Sequence, residues 1–277
     1  MGMRKNRQHK MLQAALFQVC ALLLWVAMPV YAAVIFQDNF DKAPDGSNTG
    51  GAVPAGWSQW YRESAPSATR DGVTHYAGEV SFPGRGGLGK SLKLWRHTDA
   101  WENYTGALHY YFPKTPRYND IYIRWYMKIP LALDLTGNSY YLKLFRLNTS
   151  GGSGEVYLNI NNPGGTGAMR AHGQVQVLSA VWQTVLNNAD LRKVWDGHWH
   201  CWEIRFGINS SRLTLWIDGI QKYDSTSFDY GASDAGWFTM LQHFPMGNLS
   251  AGSQWQSSWQ ALEVDDFILA DTYIDSK

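Results

Sequence analysis

From Ile121 to Ile129 the residues alternate without a break. Ile121, Ile123, Trp125, Met127 and Ile129 fall on one side, and Tyr122, Arg124, Tyr126 and Lys128 on the other. Side chains alternate across a strand with period two, so this segment is a strand with one apolar and one polar face. A helix would scatter the same apolar residues around its axis. The pattern returns at 154–162, where Val156, Leu158 and Ile160 oppose Glu155, Tyr157, Asn159 and Asn161. Further strands are predicted at 34–40, 91–96, 106–112, 140–147, 174–178, 199–208, 212–217, 237–243 and 261–269. Glycine-rich turn signals separate them, among them Asp196-Gly197 and Asp218-Gly219. Only 185–194 reads as a short helix. Ten or more strands without intervening helices give antiparallel sheets packed face to face. The predicted fold is all-β, an antiparallel β-sandwich, with the strands near 34–40 and 262–270 pairing close to one edge.

The first 32 residues are of another kind. Arg4, Lys5, Arg7 and Lys10 precede an apolar stretch from Met11 to Met28, and Val30-Tyr31-Ala32 offers a cleavage site after Ala32. This is the pattern of a secretory signal peptide, and the apolar run after Gln18 is too short to span a membrane. The expected mature chain is 33–277, a single domain, secreted or periplasmic in a bacterium and free of the membrane after cleavage. The whole chain carries 24 Lys and Arg against 23 Asp and Glu; without the four basic residues of 1–32 the balance is 20 against 23. A mildly acidic chain argues against nucleic acid or anionic membrane as a partner. Cys20 leaves with the signal and Cys201 remains alone, so no internal disulfide is available. The core must hold the fold, and a chain of this length can build one. A monomer is expected.

Two stretches carry a resemblance. Asp196-Gly197-His198-Trp199-His200-Cys201-Trp202-Glu203, followed by Leu213-Thr214-Leu215-Trp216-Ile217-Asp218-Gly219, resembles a hairpin of the concanavalin A-like lectin and glucanase jelly rolls. Ile121 to Lys128, with Tyr141-Leu142-Lys143-Leu144-Phe145-Arg146 downstream, is similar to a segment of the secreted polysaccharide-lyase-like members of that superfamily. The segments Phe36 to Asp41 and Glu263 to Phe267 resemble its terminal strands. The resemblance implies a concanavalin A-like jelly roll that binds or cuts polysaccharide on the concave face of one sheet. The alginate-lyase signatures Arg-x-Glu-x-Arg and Gln-Ile/Val-His are absent, and Gln176 stands where the histidine would be.

The polar strand faces supply the candidate residues. Tyr122, Arg124, Tyr126 and Lys128 form a row about 20 Å long. Aromatic rings stack on the apolar faces of sugars, and Arg can hold a uronate carboxylate in a bidentate grip. Tyr157, Asn159 and Gln174 extend this candidate binding surface. Trp255 and Trp259, in a Ser-rich stretch, are further stacking platforms.

A lyase acting on acidic polysaccharide by β-elimination needs three things: a group to neutralise the carboxylate, a base for the C5 proton and an acid for the leaving oxygen. Tyr126, its pKa expected to fall between Arg124 and Lys128, is the candidate base or acid. Arg124, Lys143 and His172 complete the catalytic set, with His109 an alternative base. Lys143 and Arg146 are three apart, so alternation puts at most one of them in the groove. Asp38, Asp41 and Asp265, brought near by the terminal strands, are candidate ligands of a structural Ca2+. No organic cofactor is expected. Two other readings stay open. One is a lectin-like domain without catalysis; the other is a glycoside hydrolase using Glu263 and Asp265, although Ile268 stands where a third carboxylate belongs.

Overall fold

Alternation on this scale builds two large sheets. The computed structural model describes residues 33–43, 46–47, 52–61, 67–70, 73–76, 78–96, 107–131, 141–150, 154–161, 168–175, 181–228, 230, 234–240 and 260–274. Strands are numbered in chain order. Sheet A runs β16 (Ile220–Ser225), β15 (Arg212–Ile217), β14 (Trp199–Gly207), β9 (Asp120–Lys128), β18 (Gln260–Ala270), β7 (Ser91–Arg96), β6 (Gly78–Ser81) and β2 (Gly46–Ser47). A further strand of this sheet, β1 (Val34–Asp38), pairs with the second half of β18, whose first half pairs with β7. Sheet B runs β13 (Val181–Leu186), β12 (Ala168–Val175), β11 (Gly154–Asn161), β10 (Tyr141–Thr149), β17 (Ala235–Met240), β8 (Ala107–Tyr111) and β3 (Gln59–Tyr61). β4 (Ser67–Arg70) and β5 (Val73–Tyr76) form a separate antiparallel pair. The ladders of both sheets are antiparallel, as the alternation predicts.

Aromatic side chains join the two inner faces. Trp125 of β9 stacks on Phe145 of β10 with ring centroids 6.4 Å apart, and Phe145 in turn lies 5.4 Å from both Phe206 of β14 and Phe238 of β17. Phe238 meets Phe267 of β18 at 5.5 Å. All five residues are fully buried. Each ring buried in this way contributes roughly 1.5–3 kcal/mol from apolar surface alone. The chain is therefore an all-β sandwich, held by an aromatic seam with no disulfide among the described residues.

Some local expectations change. The strand expected at 174–178 begins earlier, at Ala168, and is described to Val175; 176–178 lie outside the described residues. The helix expected over 185–194 is shorter: α1 (Asn188–Lys193) starts where the Asn187 side chain caps the Asp190 N–H at 2.9 Å, because 185–186 belong to β13. β18 does pair with β1, yet it is an interior strand between β9 and β7 rather than an edge. At the β15–β16 turn, Asp218 and Gly219 both take positive φ, the conformation a two-residue hairpin requires. The segment 1–32 lies outside the described residues.

Candidate functional site

The inward positions of sheet B include Leu108, Leu147, Leu158 and Phe238. Its alternate positions make an outer face, and the register lines them into one row crossing all seven strands. Gln59 opposes His109, His109 opposes Thr239, and Thr239 opposes Arg146. Arg146 opposes Tyr157, Tyr157 opposes His172, and His172 opposes Trp182. With strands about 4.8 Å apart, the row spans about 29 Å and Arg146 stands in its middle. One flanking row holds Tyr111, Trp237, Asn148, Glu155 and Gln174; the other holds Lys143, Asn159, Arg170 and Thr184.

A bulge makes this assembly possible. The β10–β11 register shifts between Lys143 and Phe145, so Lys143 opposes Asn159 while Arg146 opposes Tyr157. Leu144 is the extra residue, and it is buried. An inserted residue reverses the alternation on one side of it. Positions 143 and 146, expected on opposite faces, therefore share the outer one. That expectation fails because strict alternation ignores bulges.

The described side chains of this face form a stack. The His109 ring lies 4.5 Å from Tyr111, nearly parallel, and 4.5 Å from Trp237. The Arg146 guanidinium sits 4.7 Å over Trp237. Burial, and then the neighbouring Arg146 charge, push the His109 pKa down to about 4, so this imidazole is neutral near pH 7. That removes His109 as a base of ordinary strength. Asn159 is only 1% exposed, and neither atom of its amide has a hydrogen-bond partner among the described residues. An unsatisfied buried amide costs roughly 1–3 kcal/mol, a cost that a ligand's hydroxyl or carboxylate can relieve. For Lys143, Tyr157, His172 and Gln174 the backbone register gives the position; their side chains lie outside the described residues, as do Trp255 and Trp259 altogether.

The remaining predicted residues lie elsewhere. Tyr122, Arg124, Tyr126 and Lys128 occupy the outer face of sheet A, on the opposite side of the sandwich from Lys143 and Asn159. One groove cannot contain both sets. Lys128 is paired with Glu263 at 2.8 Å, and the Arg85 guanidinium covers the Tyr126 ring at 3.9 Å. The Tyr126 pKa is raised, not lowered: burial and the Cys201 thiol outweigh Arg85 and Arg124. The hydrolase pair is occupied too, because Glu263 holds Lys128 and Asp265 accepts the backbone N–H of Arg85 at 2.7 Å. Burial pushes the Asp265 pKa up to about 6.

The carboxylates expected to bind calcium are likewise engaged. Asp38 accepts the Phe40 N–H and the Trp57 indole N–H, each at 2.8 Å. Asp41 accepts the Lys90 N–H at 3.0 Å and the Asn39 amide at 2.9 Å. Among the described residues no group of three His, Cys, Asp or Glu is placed to hold a metal ion. His200 contacts Asp218 at 2.7 Å and Asp196 at 3.1 Å, tying the start of β14 to the end of β15.

Sequence reasoning missed Trp237, Tyr111 and Asn148 as parts of a site. For Trp237 the signal was the period-two pattern of 235–240, in which Trp237 and Thr239 alternate with Phe238 and Met240.

No family model matches the chain, and no curated protein sequence matches it. Solved structures do resemble it. An endo-β-1,4-glucuronan lyase from the fungus Trichoderma reesei matches with TM-score 0.51 and 14% identity over 87% of this chain and 96% of its own. A structure concerned with endo-acting O-glycanases of the human gut microbiota that initiate mucin breakdown matches with TM-score 0.51 and 14% identity, over 87% of this chain and 100% of its own. A mutant of the alginate lyase Aly36B in complex with an alginate trisaccharide matches with TM-score 0.50 and 12% identity, over 86% of this chain and 98% of its own. At such identities the likeness is one of fold. The chain thus has the β-rich fold of known polysaccharide-degrading enzymes.

Proposed function

We propose that this protein is an exported, polysaccharide-active enzyme of lyase type, working on uronate-containing polysaccharide by β-elimination at the outer face of sheet B. The observation that carries the reading is the seven-strand row centred on Arg146. A cation stands mid-row, stacking rings lie to one side, and a phenol and an imidazole hold the next two register positions. Arg146 takes the uronate carboxylate in a two-pronged hydrogen bond, which stabilises the negative charge that builds as the C5 proton leaves. Asn159 and Asn148 add amide hydrogen bonds. Tyr157 and His172, one strand apart, transfer the protons: one accepts from C5 and the other donates to the departing glycosidic oxygen. Lys143, across from Asn159 in the register, is a second cation position on the same face. Tyr111, His109 and Trp237 are the platform for the adjoining sugar. The fold shared with lyases acting on glucuronan and alginate supports the same class of substrate.

The test is to incubate the protein with alginate, polyglucuronate and polygalacturonate and follow the ultraviolet absorbance of the unsaturated product. Growth of that signal on one polymer, abolished in Arg146→Ala, is the expected result. A flat trace on all three overturns the lyase. Retained glycan binding in that case leaves the second reading, a non-catalytic carbohydrate-binding domain, which the His109, Tyr111 and Trp237 stack by itself would serve.

A further inference from the structure

Sheet A carries an aromatic cluster that the proposed reaction does not use. Tyr122 of β9 and Trp216 of β15 lean over the intervening β14 until their centroids are 6.4 Å apart, nearly parallel at 28°. Tyr273, in the segment after β18, completes a triad at 6.2 Å from Tyr122 and 5.3 Å from Trp216. Tyr273 is 41% exposed, and the other two are half-buried. They stand apart from the core rings Trp125 and Trp202, which are fully buried. Neither the Tyr122 hydroxyl nor the Trp216 indole N–H makes a hydrogen bond among the described residues, so both polar ends of the cluster are free for a ligand.

Two arginines beside the triad are paired with carboxylates. Arg205 lies 5.5 Å over Tyr122 and forks onto Asp120. Arg212 forks onto Asp224 at 2.8 and 2.6 Å, and Thr214 donates to the same carboxylate at 2.8 Å. Each guanidinium is committed to a carboxylate, so neither has its fork free for a uronate. A polyanion approaching here would meet Asp120 and Asp224 as well. Paired carboxylates with spare lone pairs are instead good acceptors for sugar hydroxyls, while the rings offer stacking surfaces.

We propose that Tyr122, Trp216 and Tyr273 form a second saccharide-binding surface, specific for neutral, hydroxyl-rich glycan, on the opposite side of the sandwich from the Arg146 row. It would hold the protein on a neutral partner polysaccharide while sheet B meets the acidic one. The proposal does not depend on sheet B being catalytic.

The test is isothermal titration of the full chain with cellohexaose, mannohexaose and xylohexaose, with oligoglucuronate as the charged control. The expected result is saturable binding of at least one neutral hexaose, weakened about tenfold or more in Trp216→Ala and in Tyr273→Ala, and unchanged in Arg146→Ala. Tyr273 is exposed enough that its removal spares the fold, so circular dichroism and the melting curve of Tyr273→Ala separate a binding loss from unfolding. Absence of binding by all three neutral hexaoses overturns the proposal. So does binding that survives in both aromatic variants, or that is lost only in Arg146→Ala.

Discussion

The two outer faces of this sandwich are both polar, yet they differ in what their charges do. On sheet A the register builds a ladder of alternating sign: Glu79 opposes Lys93, Lys93 opposes Glu263, and Glu263 opposes Lys128. Lys93 is almost wholly buried and donates to the Phe82 carbonyl at 2.8 Å, while Lys128 and Glu263 are joined at 2.8 Å. Opposite charges directly across a ladder stabilise a sheet. On sheet B, Arg146 rests on Trp237, His109 is neutral, and Asn159 finds no partner among the described residues. On sheet A the described charges answer one another across the ladder, whereas on sheet B the Asn159 amide is buried without a partner among the described residues. An alternation of aromatic and cation along one strand therefore says little until the neighbouring strands are known.

The largest expected effect sharpens that contrast. Arg146→Ala should lower kcat/KM on the responsive polyuronate by roughly 100-fold, the usual cost of losing one electrostatic stabiliser of the transition state. Lys128→Ala should leave turnover intact. Equal loss in both variants would break the distinction between the faces, and the measurement is initial rate against substrate concentration. Next in size, Glu263→Gln should destabilise the fold by about 1–3 kcal/mol, since it strips the acid from between two lysines on a largely buried ladder. Urea denaturation reads this out, with kcat of the surviving fold unchanged.

The pH dependence of stability should carry opposite slopes from the two faces. His109, at about 4 against its ordinary 6.5, takes up a proton more readily when unfolded. Its contribution is present above pH 6.5 and is lost as the pH falls through about 4. Asp265, at about 6 against 3.8, binds its proton more tightly when folded. Its contribution is present below pH 3.8 and is lost as the pH rises through about 6. Urea midpoints taken from pH 7 to pH 4 should fall less steeply in His109→Gln than in the parent, and more steeply in Asp265→Asn. Identical profiles would mean that neither group is shifted. The smallest effect is Tyr126→Phe, expected to leave turnover as it was; loss of turnover there would return the catalytic role to sheet A.

Much of the architecture was legible. Alternation marks β9 and β11, Asp218-Gly219 marks the β15–β16 hairpin, and the absence of helical periodicity marks the class. The site was legible only in pieces. Period two reports which residues share a side of one strand but not which sheet that strand joins, so Tyr126 and His172 read as one surface although they belong to different sheets. Nor does the pattern reveal that β10 inserts between β11 and β17, which is what sets Arg146 between Tyr157 and Thr239. The Leu144 bulge was invisible because an apolar residue among apolar residues leaves no local mark. Strict alternation therefore puts Lys143 and Arg146 on opposite faces, whereas the register puts both positions on one.

The interior position of β18 has a consequence in time. Sheet A is split between segments made early, β1, β6 and β7, and segments made later, β9, β14, β15 and β16. The strand that bridges them is the last one described, and nothing else in the sheet lies between β9 and β7. Until residues 260–270 are in place, β1 has no strand to pair with and the β2–β6–β7 and β9–β14–β15–β16 groups have unpaired rims. Such long-range closure is slow and leaves the rims open to wrong partners. Completion of this molecule is thus a late, nearly all-or-none event, and a chain cut short before Gln260 should be made as aggregate rather than as a smaller folded piece.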